Sequence, residues 1–292
     1  MPEERSYKKY ESIKLPTDKC SEEYRGFEQC CCSRMLVLAS STSSDSWKND
    51  KSSAWVKLAN VLDTVSFTLT KDGQPTTYPL TTNDFVQQPF AKYTTIDWQT
   101  VLSMDGIGCY ELNVDWGIYG ITGSYVWGKY NLKEFTIESA LRTARLRTFF
   151  NLYHSIEQID FTGTNVEDTI RFNGFIGKRQ PNMEIDNLIY QNRELKTVVR
   201  ENLNSYEIKT NPSCDCLINK LTDLHLLSEN ELFISDYNAH NHSYQYNDVP
   251  VIVEESPEID YLDKYQRKAV LTCIVGDRLK DERAYYKGIR KG

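Results

Sequence analysis

The stretch VSFTLTKDGQPTTYPL, Val65 to Leu80, decides how the rest of the chain is read. Val65, Phe67 and Leu69 alternate with Ser66, Thr68 and Thr70, the period of two that sends apolar and polar side chains to opposite faces of a strand. Asp72-Gly73 then supplies the positive φ that a tight hairpin turn needs, and Tyr78 and Leu80 resume the apolar phase on the return. A β-hairpin is predicted here, and patterns of the same kind follow it.

Further strands are predicted at 90–96, 107–114 (Tyr110, Leu112 and Val114 in phase), 124–130, 144–152, 156–161 and 168–176. Short strands separated by Gly, Asn and Asp indicate a sandwich or barrel and not βαβ units. The composition shifts around GKRQPNME, Gly177 to Glu184, and all five tryptophans (Trp47, Trp55, Trp98, Trp116, Trp127) precede it, so a domain boundary is placed there. Beyond it come strands at 183–190, 195–201 and 205–210, one helix, and strands at 231–235, 249–254 and 268–275. The helix is read from Ser213 as N-cap after Pro212, with Cys214, Leu217, Ile218, Leu221 and Leu224 recurring at three and four.

The predicted fold is therefore mostly β. A polar N-terminal arm (1–50) precedes a β-sandwich-like domain (51–178); a smaller α+β domain (179–277), a sheet with one helix, and a basic tail (278–292) follow. No internal repeat is visible.

Composition agrees with a folded, pleated protein. The 292 residues are 40% hydrophobic and 26% charged, with nineteen Tyr, eleven Phe and five Trp against fourteen Gly, a balance that favours half-buried β-surfaces over flexible linkers. The net charge of −7 argues against nucleic acid as the main partner, because phosphate binding needs a large basic field. The tail runs the other way, with six basic residues from Arg278 onward against Asp281 and Glu282. No apolar run of about twenty residues suggests a membrane span, and no charged start followed by an apolar core suggests a signal peptide, so a cytosolic site of synthesis and assembly is expected. The eight cysteines include the consecutive Cys30, Cys31 and Cys32 and are otherwise irregularly spaced. They are read as reduced, partly buried thiols in preference to a disulfide framework or a zinc site.

The search for chemistry turns on DYNAHNHSYQYNDVPV, Asp236 to Val251. His240 and His242 stand two apart, so on a strand both rings would leave one face, and Asp236 or Asp248 could add a carboxylate to a metal or acid–base site. Against this, the segment joins two apolar strands with the Asp, Asn and Ser that turns select, and Pro250 suits an edge strand. The turn or contact-loop reading is preferred. No nucleophile elbow, phosphate loop, dinucleotide fingerprint or His-Glu-x-x-His occurs, so no catalytic residue, metal or cofactor is assigned and an enzyme is not expected. Glu254-Glu255, and Glu157 with Asp160, leave a two-carboxylate glycosidase open, but forty-one acidic residues make such pairs common by chance.

Two further features suggest recognition. Trp98, Tyr110, Trp116, Tyr119, Tyr125 and Trp127 form either a sugar-stacking platform or core and cross-strand packing. In SALRTARLRTFF, Arg145 and Arg147 alternate with apolar residues, which reads as a solvated or subunit-facing arginine row.

The Trp/Tyr-rich hairpins ending near Tyr130, the run FTIESALRTARLRTFFNLYHSIEQIDFTGTNVEDTIRFNGFIGKRQPNMEIDN, and ISDYNAHNHSYQYNDVPVIV with its following strand and basic tail resemble, over about residues 55–290, a ring or tail protein of crAss-like tailed phages infecting Bacteroides. The resemblance implies a virion structural subunit assembled in the host cytoplasm as a homo-oligomeric ring of the capsid-to-tail connector or tail. Its partners would be further copies, neighbouring portal and tail proteins, and genomic DNA passing through without sequence-specific binding. Arg145, Arg147, His240, His242, Tyr244, Arg283, Tyr285, Tyr286 and Arg290 are the expected contact residues. The alternatives are a glycan-binding β-sandwich module and a metal or carboxylate hydrolase built on His240 and His242.

Overall fold

The Asp72-Gly73 turn forms as its residues require. In the computed structural model, which describes residues 35–58, 64–118, 121–141, 143–177, 180–189, 195–236, 246–262 and 268–278, Asp72 and Gly73 have φ of 49° and 79°, the paired positive values of a two-residue hairpin turn. Phe67 and Leu69 are buried while Ser66 and Thr68 are exposed, as the alternation demands. The return strand is short, however. Its ladder pairs Gln74 and Pro75 with β3, and Thr76 N still donates to Leu69 O at 3.1 Å. The next residues bond elsewhere: the Asp105 carboxylate accepts from Thr77 N at 2.8 Å and Tyr78 N at 3.0 Å.

The N-terminal unit contains β1 (Met35–Ala39), β2 (Lys51–Lys57), β3 (Thr64–Lys71), β4 (Gln74–Pro75), β5 (Asn83–Asp84), β6 (Ala91–Asp97), β7 (Gly108–Ile118) and β8 (Ile121–Glu134). They form a five-stranded sheet, β1-β8-β7-β3-β4, and a three-stranded sheet, β2-β6-β5. Helix α1 (Trp98–Asp105), which the pattern of strands did not anticipate, starts at Asp97, whose side chain accepts from Gln99 N, and ends at Gly106 with φ 75°. Trp98 and Val101 on its inner face join Phe67, Leu69, Leu112 and Tyr130 in one core. A short helix, α2 (Ile137–Ala140), leads out of the unit.

The second unit contains β9 (Ala144–Phe150), β10 (Tyr153–His154), β11 (Ile159–Asp160), β12 (Val166–Phe172), β13 (Gly174–Ile176), β14 (Gln180–Ile189), β15 (Leu195–Thr210) and β16 (Ser213–Cys214), then β17 (Glu231–Asp236), β18 (Tyr246–Val253), β19 (Glu258–Tyr261) and β20 (Lys268–Asp277). All but β10 and β11 belong to a ten-stranded sheet whose main path is β12-β9-β17-β18-β20-β15-β13. The helix comes where the periodicity predicts, as α3 (Asp215–Asn219), with Cys214 and not Ser213 at the N-cap. It continues as a π-helical segment, Lys220–Leu226, that buries Leu221, Leu224 and His225. The chain is thus mostly β, a β-rich unit followed by an α+β unit.

Three details differ from expectation. The expected boundary at 178 lies inside the large sheet, since β9 pairs with β17 and β13 with β15; the units divide in the loop before β9, because ladders, not tryptophan content, define a sheet. Part of the expected polar arm belongs to the fold: residues 37–40 and 49–50 are buried, and β1 pairs in parallel with β8. The two strands expected at 195–201 and 205–210 are one sixteen-residue strand.

The units meet in an aromatic joint. Trp55 packs edge-on against Phe150 at 5.5 Å and Phe161 at 5.3 Å between ring centroids, with Phe85, Ile159, Val166 and Leu224 closing the cluster.

Candidate functional site

Beside the aromatic joint lies a seam of buried charge, and it is the most elaborate polar arrangement among the described residues. It begins with a conflict. Register places Arg145 of β9 directly opposite Arg171 of β12, and like charges facing each other across a ladder repel. Asp50, at the entry to β2, resolves it. Its Oδ1 accepts from Arg145 Nε at 2.8 Å and Arg171 Nη2 at 3.1 Å, and its Oδ2 from Arg171 Nε at 2.6 Å and Leu38 N at 2.7 Å. Arg145 and Asp50 are each 1% exposed, so the carboxylate binds two guanidiniums where water hardly reaches them.

Arg145 completes its donor set on backbone and on a second carboxylate. Nη2 donates to Ser46 O at 3.0 Å and Asn49 O at 3.2 Å, and Nη1 to Asp248 Oδ1 at 2.7 Å. Asp248 is positioned by local strain: φ is 50°, next to the register shift between β17 and β18, and its N–H donates to Ser235 Oγ at 3.0 Å. It also accepts from Ser46 Oγ at 2.6 Å and Arg147 Nε at 3.2 Å. Burial pushes the Asp248 carboxyl up, but Arg145 and Arg147 outweigh burial and hold it below the usual carboxylate range. Arg147 lies over the Phe233 ring at 4.1 Å and faces Glu167, which in turn pairs with Lys51 at 2.9 Å.

The seam continues on the edge of β12. Lys51 N donates to Thr169 Oγ1 at 2.9 Å and Ser53 N to Asp168 Oδ1 at 2.8 Å, so side chains of β12 stand in for a strand partner along the free edge of β2. Asp168 Oδ2 lies 3.2 Å from Lys220 Nζ and 3.4 Å from His225 Nε2, and His225 Nδ1 is 2.8 Å from Thr148 Oγ1. Burial raises the Asp168 carboxyl, yet Lys220 and His225 bring it below its ordinary value. Burial also depresses His225, more than the Asp168 carboxylate restores, so the ring is neutral at pH 7.

Hydroxyl, imidazole and carboxylate here follow the order of a nucleophilic triad. Thr148, His225 and Asp168 are all fully buried, so no substrate reaches the hydroxyl. Five cations (Lys51, Arg145, Arg147, Arg171, Lys220) face four carboxylates (Asp50, Glu167, Asp168, Asp248). Desolvating the buried members, Asp50, Arg145, Asp168 and Arg171, costs several kcal/mol per ion unless their partners are well placed. Through Asp50 and Lys51 the seam ties the N-terminal unit to Arg145, Arg171 and Glu167 of the large sheet.

The predicted contact residues divide sharply. Arg145 and Arg147 face inward and pair within the chain, so they form no subunit-facing row. His240, His242 and Tyr244, and Arg283, Tyr285, Tyr286 and Arg290, lie outside the described residues. The two carboxylates that bracket the histidine loop are engaged elsewhere, Asp248 in the seam and Asp236 accepting from Ile176 N at 2.7 Å. Among the described residues no group of three His, Cys, Asp or Glu side chains could hold a metal ion, and no helix is long and apolar enough to cross a membrane. Cys109 and Cys273 are free thiols, as expected, but Cys216 is disulfide-bonded.

Of the two readings of the aromatic set, packing describes most of it. Trp98 and Tyr110 are fully buried, and Trp127 sits edge-on to Trp55 at 6.0 Å. Trp116 lies over Gly123, where an added Cβ would meet its ring at 2.4 Å; Tyr119 is outside the described residues.

Sequence reading missed Asp50, Thr148, Asp168, Arg171, Lys220 and His225. The available signal was VEDTIRF, residues 166–172, where charges interrupt an apolar strand on both faces and every residue is buried. The chain matches no family model, and no curated protein is similar to it in sequence.

Proposed function

We propose that the chain is a structural subunit of a phage virion that forms an oligomeric ring in the capsid-to-tail connector or the tail. One observation carries this reading. Among the described residues β14 pairs with no strand but β15, and the ladder of β15 with the body of the large sheet starts at Ser205. Leu195–Leu203 and its partner therefore form a two-stranded ribbon that pairs with no other described strand. At about 3.3 Å per residue it reaches roughly 30 Å. A ribbon of two strands is marginal in water by itself, and a neighbouring subunit would give it the cover it lacks.

The rest of the reading accords with the ribbon. The buried seam gives a rigid body on which such an arm can be aimed, and an acidic chain in a ring would let DNA pass without holding it. No comparable observation favours a glycan module, since the rings that would stack a sugar are mostly turned into the core. Sedimentation velocity on the purified full-length chain over a wide concentration range tests the proposal, with electron microscopy of the largest species. Closed rings of one size are expected. A chain that stays single at every concentration would overturn it.

A further inference from the structure

We propose that Lys220 and Asp168 condense to an intramolecular isopeptide bond, with His225 moving the protons. The proposal is independent of the ring reading and concerns the far end of the buried seam. Lys220 Nζ and His225 Nε2 converge on one oxygen, Asp168 Oδ2, at 3.2 Å and 3.4 Å. The side chains of Asp168 and His225 are fully buried, and that of Lys220 is 22% exposed. Met35 Sδ, 3.8 Å from Lys220 Nζ, gives the amine a soft, weakly polar neighbour besides the carboxylate.

The convergence is a product of the π-helical register. In an α-helix, residues five apart point about 140° away from each other around the axis. Lys220–Leu226 is wound with bonds that reach five residues back, as in Leu227 N to Thr222 O at 2.8 Å, and the wider turn carries Lys220 and His225 round to the same side. The ion pair so made is poorly matched. Asp168 Oδ2 and His225 Nε2 are both shut off from water, and neither makes an aligned hydrogen bond among the described residues, a costly state for buried polar atoms. Condensation replaces two desolvated ions by one neutral amide, so the burial that penalises the ions favours the product.

Each step has its group in place. An ammonium proton passes to Oδ2 inside the pair, leaving a neutral amine, the nucleophilic form of lysine, beside a neutral carboxyl. The Nζ lone pair adds to Cγ, and negative charge moves onto Oδ1, to which Ser53 N already donates at 2.8 Å. With Nδ1–H given to Thr148 Oγ1 at 2.8 Å, His225 Nε2 presents a lone pair that takes a proton from the attacking nitrogen and returns it to Oδ2. The Cγ–Oδ2 bond breaks, water leaves, and one N–H remains on the amide. Fixed contact supplies the rest, since groups held against each other react as if at very high concentration. The link ties β12, which meets the N-terminal unit through Ser53, to the helical segment of the second unit.

Intact-mass spectrometry of the full-length chain, reduced and denatured, tests this. The parent should weigh about 18 Da, one water, less than its sequence. Trypsin should fail at Lys220 and return the peptide 148–171, which holds Asp168, joined to the one that carries Lys220. Lys220→Arg keeps the ion pair, and with it the Asp168 carboxyl that the linked chain no longer titrates, but should show the full sequence mass. Followed by mass after cell-free synthesis, His225→Gln should link at least about tenfold more slowly than the parent; equal rates would remove the histidine from the mechanism. A parent at full sequence mass overturns the proposal whatever the variants do. So does a deficit that persists in Lys220→Arg, which would place the lost water at another aspartate, such as Asp72 before Gly73.

Discussion

Two joints hold the N-terminal unit to the large sheet, and they are made of opposite materials. One is the aromatic cluster of Trp55, Phe85, Phe150 and Phe161. The other, a few residues away along the same strands, is the ionic seam of Asp50, Arg145, Arg171 and Asp248. The aromatic joint is tolerant: dispersion and burial fall off gradually as volume is lost. The seam is not, since each buried charge is bearable only while its partners stay in place. The comparison teaches that adhesion and alignment are separate tasks. Apolar packing is favourable in whatever arrangement buries the surface, whereas a buried charge is tolerated only where its partners meet it.

The contrast is broken most directly at Asp50. Asp50→Ala leaves two guanidiniums facing each other in the interior and should destabilise the fold by about 3–5 kcal/mol, read as a lower urea midpoint. A loss under about 1 kcal/mol would mean that water or another acceptor already serves Arg145 and Arg171.

At the far end of the seam, Thr148→Val strands a ring nitrogen of His225 and should cost about 1–3 kcal/mol. The same histidine gives the seam a pH signature. Its pKa lies below the ordinary 6.5 in the fold, so the unfolded chain binds the proton more readily; stability is complete above 6.5 and is lost as pH falls below it. His225→Gln should flatten that limb of the stability profile, and an unchanged limb would assign it to another group. Asp168 and Asp248, both held below the ordinary 3.8, lose their contribution only at pH values under that figure.

The aromatic joint should respond mildly. Ile159→Val removes one methylene from the cluster and should cost about 1 kcal/mol, with Asp50→Ala and Ile159→Val adding within experimental error, because they belong to different joints. Strong non-additivity would show the joints to be one unit. Smallest of all, Asp84→Ala removes the exposed Lys92–Asp84 pair and should change stability by about 0.5 kcal/mol or less. A larger loss would show that surface charge matters here as buried charge does.

How much of this could be read beforehand follows from the range of each interaction. The Asp72-Gly73 turn, β6, β7, β8 and β9, and the helix beginning at Asp215 were legible because neighbours in sequence fix φ, ψ and phase. Helix α1 carried a readable signal in Asp97 followed by Trp98 and Val101, hidden beside a strong strand pattern. The seam was not legible. Arg145 next to Arg147 on an alternating strand looks like a surface row until β12 is laid beside it, and Asp50 looks like one polar residue among many in SSTSSDSWKNDKSS.

The amino-acid sequence by itself determined that this chain is built mainly of strands, where most of them run, and which face of each is apolar, since these follow from local periodicity and turn chemistry. Tertiary structure alone decided that Asp50 lies between two arginines more than ninety residues away, that the sheet draws strands from both sides of residue 178, and that among the described residues β14 pairs with β15 alone. Those are outcomes of pairing between distant segments, and pairing energy depends on who the neighbour is, which no local pattern records.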